Sequence, residues 1–285
     1  MNLRSWSSNS TVRPLTRADI SVVKELASKD VVTNCFIISK LDELENNSWS
    51  VQNEFFVFDN NKVIESALYN GANIVPLSTN TNSLVSFAQH LINSPRRASS
   101  IVGEKVQVLE LWDLLKTFWN KPREIRSNQP LLVIDDQPLL APDPLVKPVV
   151  IRDLEILLPA CVSMFTEEVG ISPVVGSSEQ MYRARVADVI QQRKMFARID
   201  QGQVTFKAEI GVSTNKVCQI QGVWVPPQLR GRNYGKAGMA AVVDLTRKHF
   251  APKVSLYVND YNERARAVYK SVGFQEHSTF ATILF

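Results

Sequence analysis

Two pairs of segments in this chain resemble each other, and this internal repeat most restricts the folds available to it. VRPLTRADI at residues 12–20 matches VKPVVIRDL at residues 146–154 with an offset of 134. EFFVFDNNKVIESAL, which begins at Glu54, matches MFARIDQGQVTFKAE, which begins at Met195, with an offset of 141. Because the two matches agree in order and in approximate spacing, we interpret the chain as a tandem duplication.

Each copy has the same predicted elements. The first match predicts a short strand followed by an acidic helix start, and the second predicts a hairpin with a tight polar turn. Four prolines in QPLLAPDPLVKP predict an extended linker, because proline fixes φ and removes a backbone donor. We therefore predict two domains, at residues 1–140 and 146–285.

Composition excludes several classes of protein. The chain has 285 residues, of which 45% are hydrophobic, and no apolar run approaches the length of about 20 residues that a membrane span needs. The first residues lack the apolar core of a secretory signal. Three cysteines and three histidines are scattered, which argues against a disulfide framework or a metal centre. We expect a cytoplasmic protein without a metal cofactor or membrane contact.

The positive charge is concentrated in one segment. Residues 226–270 hold nine basic and three acidic residues, a net +6, although the whole chain carries only +4. This segment predicts an anionic partner, while a solvated basic surface is the alternative. It lacks the exposed aromatic side chains that stack on nucleic-acid bases, which disfavours a nucleic-acid partner.

A strand, a loop and a helix follow one another within this region. Ile220 to Val225 form an apolar strand, Pro226 and Pro227 end it, and a helix is predicted from Lys236 to His249. Such a turn aims free backbone N–H groups at one point, which favours a phosphate group. The intervening loop supplies two arginines and two glycines for charge and close approach: Arg230, Gly231, Arg232 and Gly235.

A second pattern lies in LYVNDYNERARAVYKSVGF, at residues 256–274. Asn262 is a predicted helix N-cap and Gly273 a predicted C-terminal cap. The residues between them follow helical spacing, so core packing is an alternative role for Tyr269.

These two patterns resemble the GNAT superfamily of acyl-CoA-dependent N-acetyltransferases. The family's Arg/Gln-x-x-Gly-x-Gly/Ala loop corresponds to residues 230–235, with Asn233 in place of the middle glycine. Asparagine tolerates the left-handed conformation best among non-glycine residues. The family's Asn-x-x-Ala-x-x-x-Tyr-x-x-x-Gly-Phe pattern corresponds to Asn262, Ala265, Tyr269, Gly273 and Phe274.

The resemblance implies a mixed α/β fold of two tandem GNAT-like domains. Each would hold a mostly antiparallel twisted sheet flanked by helices, and in the C-terminal, catalytic one two parallel strands would splay apart. The implied co-substrate is acetyl-CoA, and the implied partner is an amine, either a small molecule or a protein. The residues assigned to the cofactor are Val223, Trp224, Val225, Arg230, Gly231, Arg232, Asn233, Tyr234, Gly235, Lys236 and Asn262.

The implied reaction is direct acyl transfer from the thioester to the amine, with Tyr269 as the proton donor to the thiolate. Many family members carry a glutamate where this chain has Gln221. Substitute bases are Glu209, Glu167 and Glu168, for which solvated surface acids are the favoured interpretation. We expect structural roles for Cys218 and His277.

The N-terminal half shows no equivalent loop. Ser78, Thr79, Asn80 and Asn82 occupy the corresponding position and offer neither charge nor close approach. We predict that this copy does not bind CoA and instead completes the acceptor cleft or shields a sheet edge. Two alternatives to the enzyme remain: a non-catalytic acyl-CoA sensor, and a protein that binds nucleic acid or the ribosome through its basic segment. The acceptor and the oligomeric state cannot be deduced from the sequence.

Overall fold

The computed structural model describes residues 10–46, 54–176 and 178–285. Its helices are α1 (Ile20–Ser28), α2 (Cys35–Asn46), α3 (Thr81–Ile92), α4 (Lys105–Leu115), α5 (Leu154–Val169), α6 (Ser178–Gln191), α7 (Tyr234–His249) and α8 (Glu263–Val272). Its strands are β1 (Ser10–Pro14), β2 (Phe55–Asn60), β3 (Val63–Asn70), β4 (Asn73–Leu77), β5 (Ser100–Glu104), β6 (Glu124–Ile134), β7 (Lys147–Pro148), β8 (Met195–Asp200), β9 (Gln203–Ser213), β10 (Val217–Trp224), β11 (Lys253–Tyr257) and β12 (Gln275–Leu284). Within the described ranges every helix is too short or too polar to cross a lipid bilayer.

The chain packs into two compact units that interleave along the sequence. The first unit comprises the described residues up to Leu131, together with Tyr257–Tyr261 and His277–Phe285. The second comprises Leu132–Leu256 and Asn262–Glu276. The proline-rich stretch belongs to the second unit, where the backbone N–H of Asp143 donates to the carbonyl of Ala237 and Asp143 also pairs with Arg198. The predicted domains are continuous sequence segments, whereas these packed units are not.

The first unit is a mixed sheet with helices on both faces. Its strands follow the order β1-β2-β3-β4-β5-β12-β6. Strands β4 and β5 pair in parallel, and the pairs β1–β2, β2–β3, β3–β4 and β5–β12 are antiparallel. Alternation along β2 directs Phe55 and Val57 into a core with α1 and α2. Phe58 enters a second core with α3 and α4.

The second unit repeats this design with β11, β10, β9, β8 and β7 in that spatial order. The pair β10 and β11 is parallel, and the other pairs are antiparallel. Helices α5 and α6 share an apolar core with β8, which includes Leu157, Val186 and Met195. Helix α7 packs against β9, where Gly238 lies against the ring of Phe206, and a Cβ at Gly238 would stand 2.6 Å from that ring.

The two copies of the repeat correspond in three dimensions. In each, a single helical turn (Arg17–Asp19 and Ile151–Asp153) precedes a helix, which confirms the offset of 134. In the hairpins, Pro14 pairs with Phe56 and Pro148 with Phe196, so the structural offset there is 140. The sequence match at 141 is therefore wrong by one residue, a shift that would exchange the two faces of the strand.

Candidate functional site

Strands β10 and β11 separate after a short parallel ladder. Val217 to Gln219 pair with Lys253 to Ser255, and no described residue of β11 pairs with β10 beyond that point. The rest of β10 remains hydrogen-bonded to β9 on its other side. One edge of β10 is therefore left with backbone groups that face an opening between the two parallel strands, as the predicted splayed pair requires.

A β-bulge lies at this opening. Gln221 pairs with Glu209 and Trp224 with Lys207, so two residues of β10 stand opposite the single residue Ala208. Gly222 lies within the bulge at φ +59°, and a Cβ there would stand 3.2 Å from the Lys207 ammonium nitrogen. Glycine is thus required both by the backbone angle and by the close approach of a buried cation.

The loop after β10 turns the chain into α7. A single helical turn spans Pro227–Leu229, Gly231 has φ +82° and Asn233 has φ +65°. Asn233 adopts the left-handed conformation that the sequence analysis expects of it, and α7 begins at the next residue, two residues before the predicted start. Among the described residues, the backbone N–H groups of residues 231–236 have no protein acceptor. These groups lie at the positive end of the α7 dipole, an arrangement that favours an anion and that the predicted anion site requires.

This anion site opens into a cleft of about 700 Å³. All the residues assigned to the cofactor by resemblance line the cleft except Arg232, and Tyr269 lines it as well. Further lining residues come from α5, the loop and α8, and of these only Ala265 belongs to a motif: Glu167, Leu229, Arg264, Ala265, Ala267 and Val268. The spacing of Ala265, Val268 and Tyr269 along one helical face is the signal that could have indicated the α8 wall.

Arg230 is held at the mouth of this cleft. Its Nε donates to the carbonyl of Val225 at 3.0 Å, and its Nη2 donates to the Oε2 of Glu167 at 2.6 Å. The indole Nε1 of Trp224 donates to the same carboxylate oxygen at 3.1 Å. The bond from Arg230 is the main cause that lowers the pKa of Glu167. From the sequence, Glu167 is predicted only as a substitute base, and no local pattern indicates this contact.

Helix α8 contributes the other wall. The side chain of Asn262 accepts a hydrogen bond from the backbone N–H of Ala265 at 3.1 Å, so it caps the helix as predicted while it also lines the cleft. Tyr269 is buried and packs edge-on against Phe274. Burial, aided by the charge of Glu168, raises the pKa of Tyr269, so its hydroxyl is protonated at neutral pH.

The three candidate bases have different surroundings. Glu167 and Glu168 are exposed, as expected of surface acids. Glu209 is not a solvated acid, because only 2% of it is exposed and its carboxylate bonds to Arg185 and Gln221. Burial acts to raise the pKa of Glu209, but the nearby charges of Lys207 and Arg185 outweigh it and lower the pKa. Glu209 is therefore held as a carboxylate by its neighbours.

Cys218 and His277 have structural contacts. Cys218 is buried, its sulfur lies 3.3 Å from the Ser213 hydroxyl, and burial raises its thiol pKa. His277 belongs to the first unit, where its Nε2 contacts both carboxylate oxygens of Asp30 at 2.9 Å. In the part of the chain that the structure describes, no group of three or more histidine, cysteine or acidic residues could hold a metal ion.

The equivalent turn of the first unit lies between β4 and α3, and three of its N–H groups, those of Thr79, Asn80 and Ser83, have side-chain acceptors. The backbone N–H of Thr79 donates to the side chain of Gln107, and that of Asn80 donates to the Ser83 hydroxyl. The Asn80 side chain in turn accepts from the backbone N–H of Ser83, which completes a capping box. The two turns thus differ in the feature on which the predicted anion site depends, which is the supply of backbone N–H groups without an acceptor in the described part of the protein.

Comparisons with known proteins agree with the motifs. Residues 191–274 match a family model described as the acetyltransferase (GNAT) family. Residues 53–157 match one described as a domain of unknown function, DUF4081. Among curated protein sequences, none is significantly similar to this chain.

Solved structures share the fold over nearly the whole chain. An acetyltransferase of the GNAT family from Colwellia psychrerythraea is 11% identical with a TM-score of 0.59, and the match covers 96% of this chain and 99% of that one. A GCN5-related N-acetyltransferase from Sphaerobacter thermophilus is 12% identical with a TM-score of 0.61, covering 98% and 96%. A tandem GNAT protein from the clavulanic acid biosynthesis pathway is 11% identical with a TM-score of 0.54, covering 97% and 98%.

Proposed function

We propose that this chain transfers an acetyl group from acetyl-CoA directly to a primary amine. The premise is that it carries a GNAT acetyltransferase domain in its C-terminal half and a divergent GNAT-like first half. Its class as an acyltransferase follows from that domain, whereas the acceptor and the direct mechanism are the proposal. The observation that carries it is the row of backbone N–H groups at residues 231–236, which have no acceptor among the described residues, in a loop that lines the cleft except at Arg232.

The cofactor would lie along the cleft in two parts. Its diphosphate would accept hydrogen bonds from the N–H groups of the loop, with Arg230 and Lys236 supplying positive charge. Its pantetheine arm carries amide groups, which would pair with the unoccupied edge of β10 near Val223 and Val225. This arrangement would bring the thioester to the bulge, where β10 and β11 part.

The chemical step is an addition followed by an elimination. The neutral amine attacks the thioester carbon, and a backbone N–H between residues 223 and 225 stabilises the oxyanion. The carbon–sulfur bond then breaks, and the Tyr269 hydroxyl donates its proton to the departing thiolate. The proton lost by the amine leaves through water, since Gln221 cannot accept it and Glu209 is held between two cations.

We assign binding and catalysis to the duplicated segment at residues 146–285. The first segment, residues 1–140, would not bind the cofactor, which is supported by the occupied N–H groups of the turn between β4 and α3. The three cysteines are buried thiols, which supports a reducing compartment such as the cytoplasm.

Thermal denaturation in the presence of acetyl-CoA, CoA, dephospho-CoA and pantetheine tests the binding site. Ligands with a diphosphate should raise the melting temperature by mass action, and pantetheine should not. Arg230→Ala should weaken acetyl-CoA binding about tenfold, because a charge-assisted bond is lost. Arg232→Ala, which removes the same charge outside the cleft lining, should weaken it less.

Measurement of turnover distinguishes the acetyltransferase from the alternative, a non-catalytic acyl-CoA sensor. Acetylation of any member of a panel of small amines, peptide α-amines and lysine side chains supports the transferase. Tight binding of acetyl-CoA without acetylation of any of these and without hydrolysis would favour the sensor. Absence of a melting-temperature shift at millimolar acetyl-CoA would contradict both.

A further inference from the structure

The carboxylate of Glu167 forms an ion pair with Arg230, the first arginine of the anion site. Glu167 stands in the last turn of α5, and its Oε2 accepts bonds from both Arg230 and Trp224. Arg230 is also fixed by its bond to the carbonyl of Val225, so its guanidinium lies along the cleft wall. One carboxylate therefore connects the end of α5, the end of β10 and the loop.

The position of this carboxylate does not favour the stability of helix α5. A negative charge near the C-terminus of a helix is unfavourable with the helix dipole. The pair is also open to solvent, with 27% of the Arg230 side chain and 50% of the Glu167 side chain exposed, so it stabilises the fold little. Yet Glu167 lines the same cleft as the loop N–H groups, where a diphosphate would bring further negative charge.

We propose that Glu167 is an internal competitor for the anion site. Its carboxylate holds Arg230 before the ligand binds and is displaced by the diphosphate of the incoming acyl-CoA. The identity of the displacing group rests on the proposed function, but the competition for Arg230 does not. Displacement also breaks the bond from the Trp224 indole to Glu167.

The expected cost of this competition is modest. An exposed ion pair contributes little to stability, and its loss on binding lowers the apparent affinity by about fivefold. Glu167→Gln keeps the side-chain shape and an oxygen that can accept from Trp224, but it removes the charge. This variant should therefore bind acetyl-CoA about fivefold more tightly than the wild type in calorimetric titrations.

Glu155→Gln is the matched control. Glu155 lies at the start of the same helix and pairs with Arg183 on α6, away from the cleft. Its substitution makes the same change in net charge, so it should leave acetyl-CoA affinity unchanged. An equal gain in affinity for both variants would show a general charge effect and would overturn the competition.

The indole N–H of Trp224 gives a direct readout. Its NMR resonance, assigned through Trp224→Phe, should move when acetyl-CoA is added to the wild type, because the bond to Glu167 is broken. In Glu167→Gln the resonance should start at a different position and move less. A wild-type resonance that stays unchanged at saturation contradicts displacement.

Binding measurements with inorganic pyrophosphate distinguish a failure of this inference from a failure of the proposed function. If the wild type binds acetyl-CoA and Glu167→Gln binds it no more tightly, the competition is wrong and the proposed function stands. If acetyl-CoA does not bind but Glu167→Gln binds pyrophosphate more tightly than the wild type, the competition stands and the proposed function fails. Binding of neither probe to either protein would overturn both.

Discussion

Tyr269 illustrates how one residue can satisfy both a packing and a chemical role. Its ring packs against Phe274 in the interior, which is the role that helical spacing suggests. Its position also lines the cleft, and burial keeps its hydroxyl protonated. The packing role is compatible with the proposed chemical role, because the ring supplies the packing and the hydroxyl would supply the proton.

Tyr269→Phe should separate these roles. The ring and its packing remain, so acetyl-CoA affinity and unfolding free energy should change little. Turnover should fall about a hundredfold, because the thiolate loses its proton donor. Release of free CoA thiol with a reactive amine measures turnover, and calorimetry measures affinity. Unchanged turnover would assign Tyr269 to packing alone.

At the scale of elements, the two strand–turn–helix connections show how a similar local fold serves different purposes. In the turn before α3, the N–H groups of residues 79, 80 and 83 bond to the side chains of Gln107, Ser83 and Asn80. In the turn before α7, those of residues 231–236 have no acceptor in the described part of the chain. A helix N-terminus must satisfy its free donors by side chains, water or a ligand. Side chains fulfil this need in the first unit, and a phosphate can fulfil it in the second.

Two N-cap substitutions test this difference. Asn80→Ala and Asn262→Ala each remove a side-chain bond to a helix N–H, so each should lower the unfolding free energy by about 1 kcal/mol. Only Asn262→Ala should also weaken acetyl-CoA binding, since only Asn262 lines the cleft. Chemical denaturation and calorimetry measure the two effects. Equal loss of affinity in both variants would place the first unit in cofactor binding.

At the scale of the whole molecule, the two copies of the repeat differ in the electrostatics of the helix start that contains Asp19 in the first copy and Asp153 in the second. In the first copy Asp19 accepts hydrogen bonds from Arg13 and from Thr16. The bond from Arg13 is the main cause that lowers the pKa of Asp19 from its ordinary 3.8 to about 2. Its counterpart Asp153 lies 3.9 Å from Arg152, which is almost fully exposed.

The pH dependence of stability should follow this difference. Because the folded pKa of Asp19 is lowered, its stabilisation is present above about pH 4 and is lost as the pH falls towards 2. Asp19→Asn should cost about 2 kcal/mol of unfolding free energy at pH 7, and this difference should shrink between pH 4 and pH 2. Asp153→Asn should cost less than about 0.5 kcal/mol at pH 7. Urea denaturation across this pH range checks both, and a pH-independent loss in Asp19→Asn would contradict the linkage.

Local patterns in the sequence were enough to predict the repeat, the hairpins, the loop before α7 and the caps of α8. These features depend on residues close together in the chain, such as Asn233 at its left-handed position and Asn262 at its helix start. Even here the hairpin match was displaced by one residue, because similarity between apolar strands does not fix which face is buried.

The sequence by itself determined the repeated strand–helix starts, the hairpins and the positions of the loop before α7 and of α8, because backbone angles and turn chemistry are set by neighbouring residues. Only the tertiary structure showed that β12 packs in the first unit, that Glu209 is buried between Arg185 and Gln221, and that Glu167 holds Arg230. Each of these contacts joins residues distant in the chain. The energy of such contacts depends on burial and on the charges that packing brings together, which no local pattern records.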